Sequence, residues 1–306
     1  MTACLLSACG DPSPLRIGSN QWPAYEPLYL ARDAGLYGDA GIRLIEMPSA
    51  SDVMQHLRLD NLEGGALTLD ETLTLLSEGV DLAVVAVLDV SNGADALIAR
   101  PGIERLDQLR GKRLGVELSA VGALMLDAVL RAARLGPGDL TTVPLTVDEH
   151  AKAFEAGRVD AVITFEPTRS RLIEAGGRQL FDSRRIPGRI IDVLAIRREA
   201  IERQPGRVRA LLRGYFAARS LLRAEPGRSA ARMAPRLGLD ARQLLNAYAG
   251  MRLPDLAGNR RWLKGPKARL PAVARRLLAL MHRQGLIDRM PSIEALADAR
   301  WLPETP

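Results

Sequence analysis

Residues 15–35 read LRIGSNQWPAYEPLYLARDAG, and this stretch decides the fold. An apolar run typical of a strand, residues 15–18, ends in a polar and aromatic turn, and the pattern then predicts a helix over residues 28–34, closed by Gly35. In an open α/β sheet, ligands bind beyond the carboxyl ends of the strands, so Asn20, Trp22 and Tyr25 are expected to face a cleft. The same spacing also allows Trp22 and Tyr25 simply to cover the loop against the sheet.

Length and composition describe an ordinary globular protein. The 306 residues are enough for one large domain or two lobes, and we favour two. The chain is 47% hydrophobic and 25% charged, which excludes a disordered protein. Its apolar runs fall short of the roughly 20 residues that a membrane-spanning helix needs.

The net charge of +6 does not indicate a nucleic-acid partner. The basic residues are mostly arginines spread singly along predicted helices, with acidic residues between them. This distribution is typical of a solvated surface, and we predict no binding of nucleic acid.

Both cysteines, Cys4 and Cys9, lie in the first ten residues, so no disulfide is expected inside the fold. Residues 6–11 resemble a bacterial lipobox, in which cleavage before the cysteine leaves it as a lipidated first residue; the resemblance makes Cys9 the lipid attachment site. The preceding residues lack the basic region and apolar stretch of a secretory signal, so we expect the true start to lie upstream. A cysteine placed there by chance is the alternative. Residues 1–14 are interpreted as a signal remnant and tether.

Strand and helix patterns alternate after the tether, which predicts a parallel sheet. The predicted strands are residues 15–18, 42–46, 65–69 and 82–88, and the predicted helices are residues 28–34, 52–59 and 70–78. Ser51 is the expected N-cap of the second helix.

From Asp89 onward the pattern predicts a crossing into a second lobe and a later return. The second lobe is expected to hold strands at residues 96–99, 111–117 and 160–164 and helices at residues 119–134 and 147–156, the latter with a Thr146–Glu149 capping box. Residues 190–197 are the return crossing, and only helices are expected from Ala200. We therefore predict a first lobe of residues 15–92 and 194–306 with a helical tail, and a second lobe of residues 93–193.

Four motifs carry a resemblance to a known family. They are Trp22 with the Tyr25-Glu26-Pro27 turn, Leu67-Thr68-Leu69-Asp70, the run LRGKRLGV at residues 109–116, and AGRVDAV at residues 156–162 leading to Glu166-Pro167. Together they resemble the periplasmic substrate-binding proteins of ABC importers in the nitrate, sulfonate and taurine group, which includes thiamine-pyrimidine-precursor-binding proteins. The resemblance covers residues 15–222.

The resemblance implies an α/β, two-lobed periplasmic binding protein fold of type II. Each lobe would be a mostly parallel sheet flanked by helices, with two crossing segments and a helical carboxyl-terminal tail. It further implies a monomer that binds a small organic ligand, docks on an inner-membrane ABC permease, and touches the membrane only through a lipid anchor. A sensory protein that reports its ligand to a membrane receptor or kinase is the alternative.

The resemblance also places a pocket at the strand ends. Its expected residues are Asn20, Trp22, Tyr25, Ser49, Ser51, Thr68, Asp70, Asp89, Ser91, Glu117, Ser119, Ala120, Val121, Gly122 and Glu166. The free amides and the hydroxyl at residues 119–122 form a helix start that could bind a sulfonate or carboxylate, or Ser119 could serve only as the cap of its own helix.

Four of these residues, Asp70, Asp89, Glu117 and Glu166, are acidic, and no lysine or arginine maps to the pocket. Carboxylates facing one another would raise each other's pKa or require a cationic partner, such as an amine or a protonated ring nitrogen on the ligand. Asp70 could instead cap its helix and Asp89 could tie the crossing segment. The sequence therefore leaves the charge of the ligand open.

Nothing in the sequence predicts catalysis, a metal site or a cofactor. His56, His150 and His282 are far apart and lack metal-ligand spacing, and His150 is expected at the surface. The chain resembles the fungal thiamine-pyrimidine synthase in lobe pattern, but it lacks a cysteine-rich motif and has no lysine in a cleft turn. We therefore expect a binding protein and not an enzyme.

Overall fold

The structure is a computed structural model that describes residues 13–305. Its strands are β1 (Leu15–Ser19), β2 (Ile42–Glu46), β3 (Gly64–Thr68), β4 (Leu82–Ser91), β5 (Ala96–Ala99), β6 (Arg113–Val116), β7 (Thr141–Pro144), β8 (Ala161–Thr164), β9 (Arg178–Asp182), β10 (Ile191–Arg197) and β11 (Met251–Arg252). Its α-helices are α1 (Glu26–Asp33), α2 (Ala50–Arg58), α3 (Leu69–Ser77), α4 (Ala120–Ala133), α5 (His150–Glu155), α6 (Thr168–Glu174), α7 (Arg198–Arg203), α8 (Pro205–Ala224), α9 (Pro226–Met233), α10 (Ala241–Tyr248), α11 (Leu256–Leu263) and α12 (Arg269–Arg283). Cys4 and Cys9, with the predictions that rest on them, lie outside the described residues.

The first sheet has six strands in the order β11-β4-β10-β3-β1-β2. Strand β1 runs parallel to β2 and β3, whereas β10 runs antiparallel to both β3 and β4. The prediction of a parallel sheet therefore holds for the direction of β1 to β4, and the returning strand β10 inserts between β3 and β4 and makes the sheet mixed.

The second sheet has five strands in the order β7-β6-β8-β5-β9. Strand β6 is parallel to β7 and β8, while β5 is antiparallel to β8 and β9. The chain leaves the first sheet after β4, enters the second at β5, and returns after β9 into β10. This two-sheet α/β architecture with two crossings is the predicted fold. All seven residues of β10 pair with β4, and the strand lies within residues 190–197, where the return crossing was predicted. The division into lobes at residue 194 stays a prediction.

Two local predictions were wrong. Ser49, not Ser51, caps α2, because the Ser49 Oγ accepts the Asp52 N–H at 3.1 Å while Ser51 is exposed in the first turn. The tail after Ala200 also contains the short strand β11, which pairs with Val90 and Ser91 of β4. The Thr146–Glu149 capping box and the Ser119 N-cap are confirmed.

Strand β4 is the centre of the core, and all ten of its residues are buried. One face of its sheet packs on aromatic side chains of α1 and α8, among them Tyr29 and Tyr215, and the other face packs on α3 and α12. Beyond the end of β11, the Asn259 side chain completes the outer edge of β4: it accepts the Val87 N–H at 2.6 Å and donates to the Val87 carbonyl at 3.0 Å. None of the helices within residues 13–305 has the length and apolar character needed to cross a membrane.

Candidate ligand-binding site

A cavity of about 50 Å³ lies between the two sheets and takes its walls from both. Its lining residues are Asn20, Trp22, Tyr25, Ala50, Thr68, Glu71, Asp95, Glu117, Ser119, Val121, Gly122, Val147, His150, Ile163, Thr164, Phe165, Ile190 and Asp192. They come from the carboxyl ends of β1, β3, β6 and β8, from the two crossings, from the starts of α2 and α4, and from the segment after β7. Since a single water needs about 10–15 Å³ on this scale, the cavity has room for a small ligand only.

Eight of the fifteen predicted pocket residues line this cavity: Asn20, Trp22, Tyr25, Thr68, Glu117, Ser119, Val121 and Gly122. The ends of parallel strands meet at one edge of a sheet, which is why turns far apart in sequence come together here. Their roles toward a ligand stay predictions.

Seven predicted residues are not part of the lining. Ser49 caps α2, Ser51 is exposed, and Ala120 lies in the first turn of α4. The buried Ser91 hydroxyl lies 2.7 Å from the Ser183 hydroxyl and so joins the two crossings. Asp70 and Asp89 are buried but do not line the cavity.

Glu166 is the last of the seven predicted residues outside the lining. It is buried, and its carboxylate already has partners. Its carboxylate pairs with Arg169 at 2.6 Å and accepts the Ser170 hydroxyl at 3.0 Å. Both partners belong to α6, which follows it. Glu166 therefore stabilises the start of that helix and does not face the cavity.

Trp22 is both a cavity wall and a core residue, so the two sequence alternatives hold together. It is 5% exposed and contacts Phe165 edge to face, with ring centroids 5.5 Å apart and planes at 84°. Because Trp22 follows β1 and Phe165 follows β8, this contact joins the two sheets. The Trp22 Nε1 has no hydrogen-bond partner.

The start of α4 is occupied by the protein's own groups. The Ser119 Oγ accepts the Gly122 N–H at 3.1 Å, which is the capping role that the sequence left as an alternative. The Val121 backbone opposes the rise in the pKa of the Asp70 carboxyl. One amide of the predicted anion site is thus already used, and a second interacts with a carboxyl group.

Carboxyl groups dominate the cavity. Glu71, Asp95, Glu117 and Asp192 line it, and no lysine or arginine is among the described lining residues. Burial is the main cause that raises the pKa of Asp95 to about 6, of Glu117 to about 7 and of Glu71 to about 8, and neighbouring carboxylates add to each rise.

Burial also raises the pKa of three further carboxyls: Asp192 in the lining, and Asp70 and Asp89 behind it. Burial raises the pKa of Asp70 to about 6 and raises that of Asp89 and Asp192 well above the usual range, with Asp95 repelling Asp89 and Asp89 repelling Asp192. The Tyr25 hydroxyl donates to Asp192 Oδ1 at 2.6 Å. This hydrogen bond favours the ionised carboxylate and so offsets part of the rise in the pKa of Asp192.

His150 was predicted at the surface, and that prediction was wrong. Its ring is 1% exposed, its Nδ1 lies 3.0 Å from the Thr164 Oγ1, and burial lowers its pKa to about 4. The ring is therefore neutral at physiological pH. The sequence contained a usable signal, because His150 shares a helical face with the buried Ala153 and Phe154.

Glu71, Asp95, Thr164 and Asp192 are the other polar lining residues that the sequence analysis missed. Glu71 was hidden by its capping role, since its carboxylate accepts the Thr68 N–H at 2.8 Å. Across residues 13–305, no group of three or more histidine, cysteine, aspartate or glutamate side chains is placed to hold a metal ion.

The sequence model of the NMT1-like family matches residues 9–235. A Bacillus subtilis protein named for aliphatic sulfonate binding is 29% identical over 171 residues, 52% of this chain and 51% of its own length. An Escherichia coli protein with the same name is 23% identical over 295 residues, 94% of this chain and 89% of its own. This chain therefore spans about half of the first relative and most of the second.

The fold is similar to that of the periplasmic aliphatic sulphonate binding protein SsuA from Escherichia coli. The TM-score is 0.76 at 21% identity, with 94% of this chain and 98% of the other covered. At this identity the likeness shows the fold.

Proposed function

The chain belongs to the NMT1-like family, and on that premise we propose that it is an extracytoplasmic solute-binding protein that delivers a small organic ligand to an ABC importer. This is the family group that the four sequence motifs indicated. The relatives described above are binding proteins by name, which supports binding rather than catalysis as the activity.

One observation carries the proposal: the cavity has walls from both sheets, and only two crossings connect those sheets. A rotation about the crossings would separate Trp22 from Phe165 and open the cavity, and the reverse rotation would enclose a ligand. Enclosure suits delivery, since a receiving membrane protein can then distinguish the loaded form from the unloaded one.

A thermal-shift screen of residues 11–306 tests this function directly. The panel is sulfonates, nitrate, carboxylates, amines and pyrimidines. A ligand that binds only the native state adds about 2.7 kcal/mol at a hundredfold excess over its Kd, which the screen detects. Stimulation of ATP hydrolysis by the cognate permease in vesicles then checks delivery, whereas a protein that binds none of the panel would contradict the proposal.

Two finer features belong to the same proposal. Both cavity walls come from one chain, which supports a monomer, and light scattering checks it. Residues 6–11 resemble a lipobox, and a short spacer separates Cys9 from β1. Both features support lipid attachment at Cys9. Mass spectrometry of membrane-extracted protein, expressed with its native upstream codons, would show the lipid; an unmodified Cys9 would remove that feature alone.

A further inference from the structure

We infer that the cavity takes a small organic cation, an ammonium or amidinium group on an apolar body, whose charged end lies among Asp95, Asp192, Glu71 and Glu117. This inference rests on the proposed function and names the class of ligand at the same site.

Charge balance is the first argument. The titratable groups that face the cavity or stand directly behind it are Tyr25, Asp70, Glu71, Asp89, Asp95, Glu117, His150, Glu166 and Asp192. His150 is neutral, so none of these side chains supplies a positive charge at neutral pH. Two arginines of the second sheet and its helices have other partners: Arg169 pairs with Glu166 and Arg184 with Asp182. A cationic ligand would supply the missing counter-charge.

Unpartnered polar atoms are a second and independent observation. Trp22 Nε1, His150 Nε2, Asp95 Oδ2 and Asp192 Oδ2 are buried without a hydrogen-bond partner, and all four residues line the cavity. Buried polar groups in native proteins are nearly always paired. Four unpaired atoms around one cavity point to a bound ligand. Asp95 Oδ2 and Asp192 Oδ2 only accept hydrogen bonds when ionised and so suit a cationic donor, whereas the Trp22 indole N–H only donates and needs an acceptor atom on the body of the ligand.

The cavity offers few groups that could bind an anion. At the start of α4, the Gly122 amide already donates to Ser119, and the Val121 backbone interacts with the Asp70 carboxyl. A sulfonate at that place would also face the Glu117 carboxyl, two residues before the cap. Repulsion between buried like charges opposes this arrangement.

The body of the ligand is organic. The apolar part of the wall consists of Trp22, Val121, Ile163, Phe165 and Ile190, and a cation can lie against aromatic faces at little cost. Because the described residues hold no cluster of metal-binding side chains, a bare metal ion is not the ligand that fits.

Two sets of size-matched probes test the charge: propylamine against propanesulfonate, and benzamidine against benzamide and benzoate. We expect propylamine or benzamidine to bind at pH 8, at least tenfold more tightly than its neutral or anionic counterpart, by calorimetry. Tighter binding of benzoate or propanesulfonate overturns the cation and leaves solute binding intact. The same conclusion follows if none of the five probes binds while an anionic or uncharged member of the screening panel does. If neither the probes nor the panel bind, the proposed function is removed as well.

The pH dependence in the unaltered protein gives a test that needs no variant. Benzamidine keeps its charge between pH 5.5 and 8, so its affinity should rise as the carboxyls ionise, about fourfold or more for one group with a pKa near 6. Asp95 has such a pKa. An affinity that falls over this range overturns the proposal.

Two variants test where the positive charge of the ligand lies. Asp95→Asn and Asp192→Asn should each weaken benzamidine at least tenfold at pH 8, with benzamide unaffected. Asp81→Asn is the matched control, because Asp81 is exposed at the opposite end of β4 and pairs with Arg198. Equal affinity in all three variants would contradict the placement.

Discussion

Asp89 and Asp192 lie directly opposite each other across the antiparallel pair of β4 and β10, the two strands at which the chain leaves and re-enters the first sheet. Both side chains are buried, and burial with mutual repulsion raises the pKa of each well above its usual range. Two carboxyls thus face each other beside the crossings that connect the sheets. Burial and mutual repulsion thus favour the protonated form of both carboxyls, and ionisation of either one costs stability.

The first prediction concerns stability against pH without ligand. A carboxyl whose pKa is higher in the folded state stabilises the protein at low pH, and this contribution is lost as the pH rises toward the folded pKa. From pH 6.5 to 8 the unfolding free energy should fall, by about 1.4 kcal/mol per pH unit for each such group, and Glu71 with a pKa of about 8 is one of them. Urea titrations at pH 6.5, 7.2 and 8 measure it.

The Asp89→Asn variant is the control for that titration. The amide copies the neutral form, so the variant should be more stable than the unaltered protein at pH 8 and should show a shallower slope. The window starts at pH 6.5 because His150 acts in the opposite direction below it: with its pKa lowered to about 4, its contribution is lost as the pH falls. A stability that rises from pH 6.5 to 8 would contradict the buried carboxyl cluster.

The second prediction uses Trp22→Phe, which retains an aromatic ring against Phe165 and removes only the indole Nε1 and part of the ring area. Affinity for the ligand found by the screen should fall about tenfold, the loss expected when a hydrogen bond of about 1.4 kcal/mol disappears. Calorimetry measures the affinity and thermal unfolding checks the fold. Trp262→Phe, on α11, is the matched control and should bind normally. Unchanged affinity in Trp22→Phe would show that the indole does not meet the ligand.

The sequence predicted eight of the eighteen residues that line the cavity, and the reason is topological. Asn20, Trp22 and Thr68 follow β1 and β3, and strands of the same direction end at the same edge whatever their neighbours. The start of α4 was found in the same way. These positions need only local patterns and the direction of each strand.

Other lining residues are positioned by strand pairing that no local sequence pattern contains. Asp192 reaches the cavity because β10 inserts between β3 and β4, from more than a hundred residues away. Asp95 lies between β4 and β5, where the chain changes sheets. His150 was missed because a short capped helix resembles a surface helix until its partner strand β8 is known.

The third prediction concerns His150. With its pKa lowered to about 4 by burial, its ring should stay neutral and its NMR ring signals should not move between pH 5.5 and 8. Proton-detected spectra of ring-labelled protein measure this, and His150→Gln assigns the signal. A titration near pH 6.5 would place the ring in solvent and contradict its contact with Thr164.

The fourth prediction tests what holds the outer edge of β4. Asn259 is fully buried and binds both backbone groups of Val87, as a neighbouring strand would. Asn259→Ala leaves the Val87 N–H and carbonyl without partners in the core, and we expect a loss of about 2–4 kcal/mol in unfolding free energy, since each buried unpaired group costs about 1–3 kcal/mol. Urea unfolding measures the loss, and Asn246→Ala, at an exposed position of α10, is the control that should stay within about 0.5 kcal/mol. Ligand affinity should be unchanged in both variants, because the Val87 backbone groups face the outer edge of the sheet and Val87 does not line the cavity. Equal stability of the two variants would mean that water satisfies the strand edge instead.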